Sequence, residues 1–412
     1  MPALVARIQR TVPLLLALLV PVAFIACEAE DPVAPTDLVS STADAKGGNG
    51  KGGGPGGGGD DGGGDSGGSA PAIAGALVPG ISPSTERLSM LDVGGDYLTG
   101  RITNASEDCG FVYSITDKTY ECVVIPDAAD GSVWIYGVRP DGKLAASYTA
   151  IDGIDRTAVF EMGTTSSLSQ ANLTATTTIS PPDTYTRIMP ASRRPINAGG
   201  QILVRVRRDL PDQPGPWRLG VVSADLSTVT MTSGDEYEYM YALGLSDDGF
   251  GLANADEFGR GDPVVGSWSL DDGTRLVRVS GTGGRSGGIV SGVFEGTGSG
   301  FYGRTSDGRP AVWATPNSSP VAVADLDLEP FGHDDGGRIF GRVQVNGNKP
   351  WRAFCVNPTS GLVTELLPPP GYDRVSRVRG SSGSVVFGNV GDDGTGTRGI
   401  AQWDLSEAEG GC

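Results

Sequence analysis

The sequence predicts an all-β protein whose main domain is a β-propeller, with seven blades of four antiparallel strands and N- and C-terminal strands closing the ring. Three observations predict it. Glycine supplies 65 of 412 residues, about twice the usual ~7%, which favours many tight turns over helices. From residue 71 onward one pattern recurs seven times: a Gly, any residue, two or three mostly apolar residues, and usually a small residue five positions after the Gly. The copies begin at Gly95, Gly142, Gly200, Gly249, Gly298, Gly336 and Gly383, spaced 47, 58, 49, 49, 38 and 47 apart. Finally, five of the six tryptophans fall 15 to 20 residues after such a glycine.

Each strand of a unit has its own warrant. Turn signals such as Asp141-Gly142, Asp248-Gly249 and Asp335-Gly336 lead into the apolar anchor strand. A second apolar segment follows and usually ends in an aromatic: residues 111–113, 158–160, Trp217-Arg218-Leu219, Trp268, 311–313, 351–354 and Trp403. Weaker candidates come third, at 121–126, 227–232, 274–280, 320–326 and 361–367. A fourth segment runs into the next anchor, at 132–138, 239–245, 288–294 and 373–379. Four short strands with a period near 48 residues is the arithmetic of a propeller blade. Only nine residues follow Trp403, while residues 71–94 offer spare strand material. The N-terminal strands are therefore expected to complete the seventh blade and remove its exposed edges. A six-bladed ring, if the 38-residue unit is miscounted, and an array of β-sandwiches are the alternatives.

Residues 1–26 have the layout of a secretory signal. Arg7 and Arg10 precede 16 uncharged residues, 11–26, too few for a membrane-spanning helix. The stretch ends in Phe24-Ile25-Ala26-Cys27, which resembles the bacterial lipobox, with Phe where Leu is usual. That resemblance implies diacylation of Cys27, and Glu28, which is not the inner-membrane-retaining Asp, implies the outer membrane or cell surface. An ordinary cleaved signal followed by an incidental cysteine is the alternative. Residues 27–70 read as a lipidated tether: 15 of the 22 residues in 47–68 are Gly, so no apolar burial offsets the entropy of ordering them. A coil of about 40 residues spans on the order of 35 Å. Residues 71–412 are the repeat domain, expected to be monomeric and to meet the membrane only through the lipid.

The units resemble the bacterial extracellular repeats named for His-Ala-Phe, in which an apolar strand after a Gly turn is followed by Ala and an aromatic. The resemblance covers residues 88–412; the matching stretches read Thr157-Ala158-Val159-Phe160, Pro310-Ala311-Val312-Trp313 and Arg352-Ala353-Phe354, without the motif's His. It implies the propeller fold and an extracytoplasmic address, and no defined activity.

With Cys27 assigned to lipid, four cysteines remain for an exported, oxidised domain. Cys109 and Cys122 flank one predicted hairpin, which leaves Cys355 to pair with Cys412.

The charge balance excludes one function class. With 31 basic and 49 acidic residues, net −18, a nucleic-acid groove is not expected. Nucleophilic catalysis needs a base, and the single imidazole, His333, reads as a solvated turn residue. No P-loop, no CxxC and no dinucleotide fingerprint leading from a strand into a helix occurs, so no catalytic residue, metal ligand or cofactor is assigned. Carboxylate-only glycoside chemistry stays open, with candidates at Asp247-Asp248, Asp256-Glu257 and Asp325, Asp327 and Glu329. An alternating acidic strand at 325–329 also leaves calcium possible. Stacking the repeats aligns Arg101, Arg304 and Arg342, with Arg205 one position earlier. If the anchor strand lines the central channel, these guanidinium forks converge at one mouth and suit carboxylates or sulfated and uronic sugars. The sequence thus favours a surface lipoprotein with a non-catalytic binding or scaffold module for a glycan or protein. An exported carbohydrate-active hydrolase or lyase is the alternative.

Overall fold

A computed structural model describes residues 71–104, 107–162, 168, 177–182, 184–191, 194–210, 213–231, 237–247, 249–257, 263–269, 277–282, 289–293, 300–334, 336–344, 351–407 and 412. The expected signal, Cys27 and the Gly-rich tether lie outside them. The described residues belong to one compact unit, Ser66–Cys412.

Two short strands, β1 (Ala72–Ala74) and β2 (Ala76–Leu77), precede the repeats. A first group follows: β3 (Arg87–Gly94), β4 (Tyr97–Thr103), β5 (Asp108–Ser114) and β6 (Thr119–Cys122). The second is β7 (Trp134–Val138), β8 (Lys143–Thr149), β9 (Asp155–Glu161) and β10 (Thr177–Ile179). The third is β11 (Arg187–Pro190), β12 (Ile202–Leu210), β13 (Gln213–Val222) and β14 (Val229–Met231). The fourth is β15 (Tyr237–Leu245), β16 (Phe250–Glu257), β17 (Pro263–Ser269) and β18 (Val277–Arg278). The fifth is β19 (Ile289–Val293), β20 (Phe301–Arg304), β21 (Pro310–Trp313) and β22 (Val321–Ala322). The sixth is β23 (Glu329–His333), β24 (Ile339–Gln344), β25 (Trp351–Val356) and β26 (Val363–Leu367). The last holds β27 (Arg374–Ser382), β28 (Val385–Gly391) and β29 (Arg398–Asp404).

Within each group the strands pair antiparallel in sequence order. A single parallel bridge, Arg187↔Asp155, also joins the second and third groups. The last group gains its fourth strand from the N-terminal side, where β2 pairs antiparallel with β29, and β3 packs against β27 and β29. β1 adds in parallel to β26.

The phase of the repeat differs from the sequence expectation. The anchor glycine precedes the second strand of each group, and the segment expected to end a unit, such as 132–138 or 373–379, forms the first strand of the next. Consequently only β2, and not two N-terminal strands, completes the last group. The first strands line the centre: Leu91 and Asp92 of β3, Leu243 of β15, Gly292 of β19, Phe331 of β23 and Arg379 of β27 surround one small space there.

A bulge turns these strands inward. In six groups the register between first and second strands shifts at the same place, with Leu91, Tyr136, Leu243, Ser291, Phe331 and Arg379 as the bulged residues. Such a bulge re-aims a side chain and sharpens the twist. In five of the six the next residue is Gly, at 137, 244, 292, 332 and 380. The reason is close approach: a Cβ on Gly332 would lie 2.4 Å from the Arg379 carbonyl oxygen of the neighbouring group.

The aromatic slot falls on the third strands, and it joins neighbours. Trp403 of β29 and Trp313 of β21 are each 1% exposed. Their indole N–H groups donate to Leu367 O at 2.7 Å and Ser280 O at 2.9 Å, at the outer edge of the preceding group. A large apolar ring thus fills the space between sheets while its one polar atom is satisfied. Two disulfides complete the frame: Cys109–Cys122 with Cα atoms 5.7 Å apart and Cys355–Cys412 with Cα atoms 5.9 Å apart.

Candidate functional site

The four aligned arginines do not converge on the channel, because they stand on second strands. Two of them, Arg101 and Arg342, serve sheet boundaries. Arg101 on β4 is buried, pairs with Asp108, stacks over the Trp134 ring at 4.5 Å and donates to Val133 O at 3.0 Å, just ahead of β7. Arg342 on β24 pairs with Glu329 at 2.9 Å and donates to Ser376 O of β27 at 3.1 Å. Its guanidinium is held between Phe331 at 4.7 Å and Trp351 at 3.7 Å. Asn389 on β28 plays the same part without charge, exchanging two hydrogen bonds with the Met90 backbone of β3 at 2.7 and 2.9 Å. Arg205 on β12 lies over Trp217 at 4.7 Å. Arg304 is half-buried on β20, opposite Ile289 and Pro310.

The channel itself is nearly filled. The space between its first strands is about 20 Å³, room for about one water. His333 belongs to this packing rather than to a solvated turn: it ends β23 and is 1% exposed. Its Nδ1 lies 3.0 Å from Asp334 O and its Nε2 lies 3.2 Å from an Arg194 nitrogen. A carbonyl can only accept, so Nδ1 donates, and a guanidinium can only donate, so Nε2 accepts. Tyr302 meets the ring edge-on, with centroids 5.2 Å apart. Both nitrogens are engaged and the ring is screened from solvent.

The open site lies elsewhere, where the sixth, last and first groups meet on the face at which second strands end and first strands begin. A cavity of about 300 Å³ opens there. Arg342 and Trp351 come from the sixth group, Arg374, Ser376, Arg377, Asn389 and Arg398 from the last, and Leu88 and Ser89 from β3. Among the described residues the lining therefore holds four guanidinium groups and no carboxylate, on a chain of net charge −18. Arg342 is fixed by the contacts above. Arg374 pairs with Asp393 outside the lining, and its Nε is buried without a hydrogen-bond partner. Arg377 and Arg398 are exposed at the mouth. Of the predicted residues only Arg342 belongs to this site. Arg374, Arg377 and Arg398 were missed because they stand on first and third strands; the one signal, for Arg374 and Arg377, was the density of arginine in Asp373-Arg374-Val375-Ser376-Arg377-Val378-Arg379.

The carboxylate candidates are dispersed. Asp247 accepts from Ala198 N, Asp327 lies against Gly308 and Glu329 is paired with Arg342. The side chains of Asp248, Asp256 and Glu257 lie outside the described residues. Among the described residues no three His, Cys, Asp or Glu side chains gather as a metal site, and no helix is long and apolar enough to cross a membrane. The two disulfides are those of an exported protein.

Comparison with solved structures agrees with the strand pairing. A puromycin-hydrolysing peptidase of Mycobacterium tuberculosis superposes with a TM-score of 0.50 at 14% identity over 82% of this chain. The chain spans 57% of that peptidase's length, and at this identity the likeness is one of fold. Also similar are the Cps50 (Swd1) β-propeller domain of Myceliophteria thermophila, with TM-score 0.47, 9% identity and coverage of 79% and 99% of the two chains, and the β-propeller domain of the Trilobed protease from Pyrococcus furiosus, with TM-score 0.45, 10% identity and coverage of 80% and 94%. No protein-family model matches the sequence, and no curated protein matches it. The domain is a β-propeller. Its resemblance to His-Ala-Phe repeats rests on the third-strand motif alone.

Proposed function

We propose that the chain is an exported lipoprotein, held at the outer membrane or cell surface by Cys27 and its Gly-rich tether, whose seven-bladed closed propeller is a non-catalytic binding module for an anionic ligand on a glycan or protein partner. One observation supports this above the others: the cavity of about 300 Å³, lined among the described residues by four arginines and no acid. Forked guanidinium donors suit carboxylate and sulfate groups. A glycosidase would instead need two carboxyl groups about 5 to 10 Å apart facing its substrate, and the described lining residues include none.

The test is to incubate the full chain with acidic polysaccharides and acidic proteins and to measure retention and products together. Retention without new reducing ends or unsaturated products is expected; catalytic turnover would sink the non-catalytic reading. For the anchor, Cys27→Ala should move the protein from the membrane fraction to the soluble fraction. A Cys27→Ala protein that stays with the membrane would overturn lipid attachment there.

A further inference from the structure

We propose that the arginine-lined cavity binds one acidic sugar residue, a uronate or a sulfated saccharide unit, with Arg377 and Arg398 holding the anionic group and Trp351 packing against the ring. This rests on the binding-module reading above and names its ligand class. Three features point to a sugar. The cavity, about 300 Å³, is at the lower end of small-ligand pockets, a scale suited to a saccharide unit. Next, its polar groups are mixed: guanidinium forks at the mouth stand beside the hydroxyls of Ser89 and Ser376 and the indole of Trp351. A polyhydroxylated anion uses all three kinds of group, because its carboxylate or sulfate takes the forks, its hydroxyls the serines, and its apolar C–H face the ring. Last, the walls are preorganised. Arg342 is sandwiched between Phe331 and Trp351 and tied to Glu329 and Ser376 O, so Trp351 is held in place before any ligand arrives.

The division of labour among the arginines follows from their surroundings. Arg342 and Arg374 have acidic partners, Glu329 and Asp393, and act as walls. Arg377 of β27, which lies over the Phe331 ring at 5.6 Å, and Arg398 of β29 are the exposed ones. They are the groups an entering anion meets first.

Isothermal titration of the full chain tests this with four probes: trigalacturonate, a heparin-derived disaccharide, neutral maltotriose and hexaglutamate. An acidic saccharide is expected to bind, more weakly as salt is raised, and maltotriose is not. Arg377→Ala and Arg398→Ala should each weaken the binding about 10- to 100-fold, whereas Arg309→Ala, at a distant turn where Arg309 pairs with Asp307, should not. Arg398→Lys should recover part of the loss, since it restores charge without the fork. Equal affinity for maltotriose, or saccharide binding unchanged in both variants, would overturn the assignment. Hexaglutamate binding lost in Arg398→Ala, with no saccharide bound, would leave the binding module standing and remove the sugar. No binding of any anion would remove both.

Discussion

The channel and the cavity each contain arginines and differ in nearly everything else. At the centre, Arg379 is 8% exposed on a bulged first strand and Arg194 reaches His333, around a space of about 20 Å³. Near the rim, Arg377 of the same strand as Arg379 stands exposed at a cavity of about 300 Å³. Two residues along β27 separate a structural arginine from one that solvent can reach. The bulge at Arg379 pulls the strand to the centre, where glycines such as Gly332 let neighbouring backbones meet. Away from that point the twisted sheets diverge and leave a wedge that arginine tips line. Position along the strand, rather than residue type, decides which job a guanidinium has.

The comparison can be broken most sharply at the centre. In Gly332→Ala the new methyl would sit 2.4 Å from the Arg379 carbonyl oxygen and 3.0 Å from that of Val378, both backbone. A loss of about 3 kcal/mol or failure to fold is expected, because neither neighbour can yield cheaply. A denaturation midpoint matching the parent protein would show that the inner strands are looser than drawn.

The disulfides come next. On the loop-entropy model, Cys355–Cys412, closing a separation of 57, contributes about 4 kcal/mol, and Cys109–Cys122, closing 13, about 3 kcal/mol. Cys412→Ser should therefore lower the guanidinium midpoint more than Cys122→Ser does. Because Cys355 lies on the cavity's sixth-group sheet, anion affinity should fall in Cys412→Ser before it falls in Cys122→Ser.

Exchanging the two kinds of arginine sharpens the contrast. Arg194→Ala removes the partner of a buried histidine nitrogen, and should cost about 1 to 3 kcal/mol of stability with anion binding intact. Arg398→Ala should change stability by less than about 0.5 kcal/mol and reduce binding instead. The opposite pattern in paired denaturation and titration experiments would erase the distinction.

The smallest effect lies in the tyrosines of the first group. Burial, with Asp96 nearby, pushes Tyr113 up to about 12. Burial and a hydrogen bond to Glu107 push Tyr120 up to about 12 as well. The folded state then keeps protons that the unfolded chain releases near pH 10. Their contribution is complete below about pH 10 and is lost as pH rises toward 12. Absorbance at the phenolate band should show Tyr113 and Tyr120 among the late-titrating residues; Tyr120→Phe should lower the late amplitude by one residue.

Much of the fold is legible because it is local. The repeat of Gly turns and short apolar strands, and the tryptophan slot from Trp217 to Trp403, record side-chain periodicity along the chain. The hairpin flanked by Cys109 and Cys122 likewise needs only neighbouring strands. What sequence by itself could not determine was phase. A periodic pattern looks the same wherever a unit is said to begin, and only hydrogen-bond pairing, with β2 on the outer edge of β29 and β27 at the inner edge of the same group, fixes the start. From phase followed the error at Arg101, Arg205, Arg304 and Arg342, which stand on second strands and not on the strands that line the centre. His333 misled for a related reason: its Asp- and Gly-rich neighbours describe a turn, while burial depends on Arg194 and Tyr302 arriving from other groups. The cavity was the least legible feature, because Ser89, Arg342, Arg377 and Arg398 become neighbours only when the first and last groups pack together. Sequence determined the repeating unit; tertiary structure decided where each unit begins and which charges face solvent.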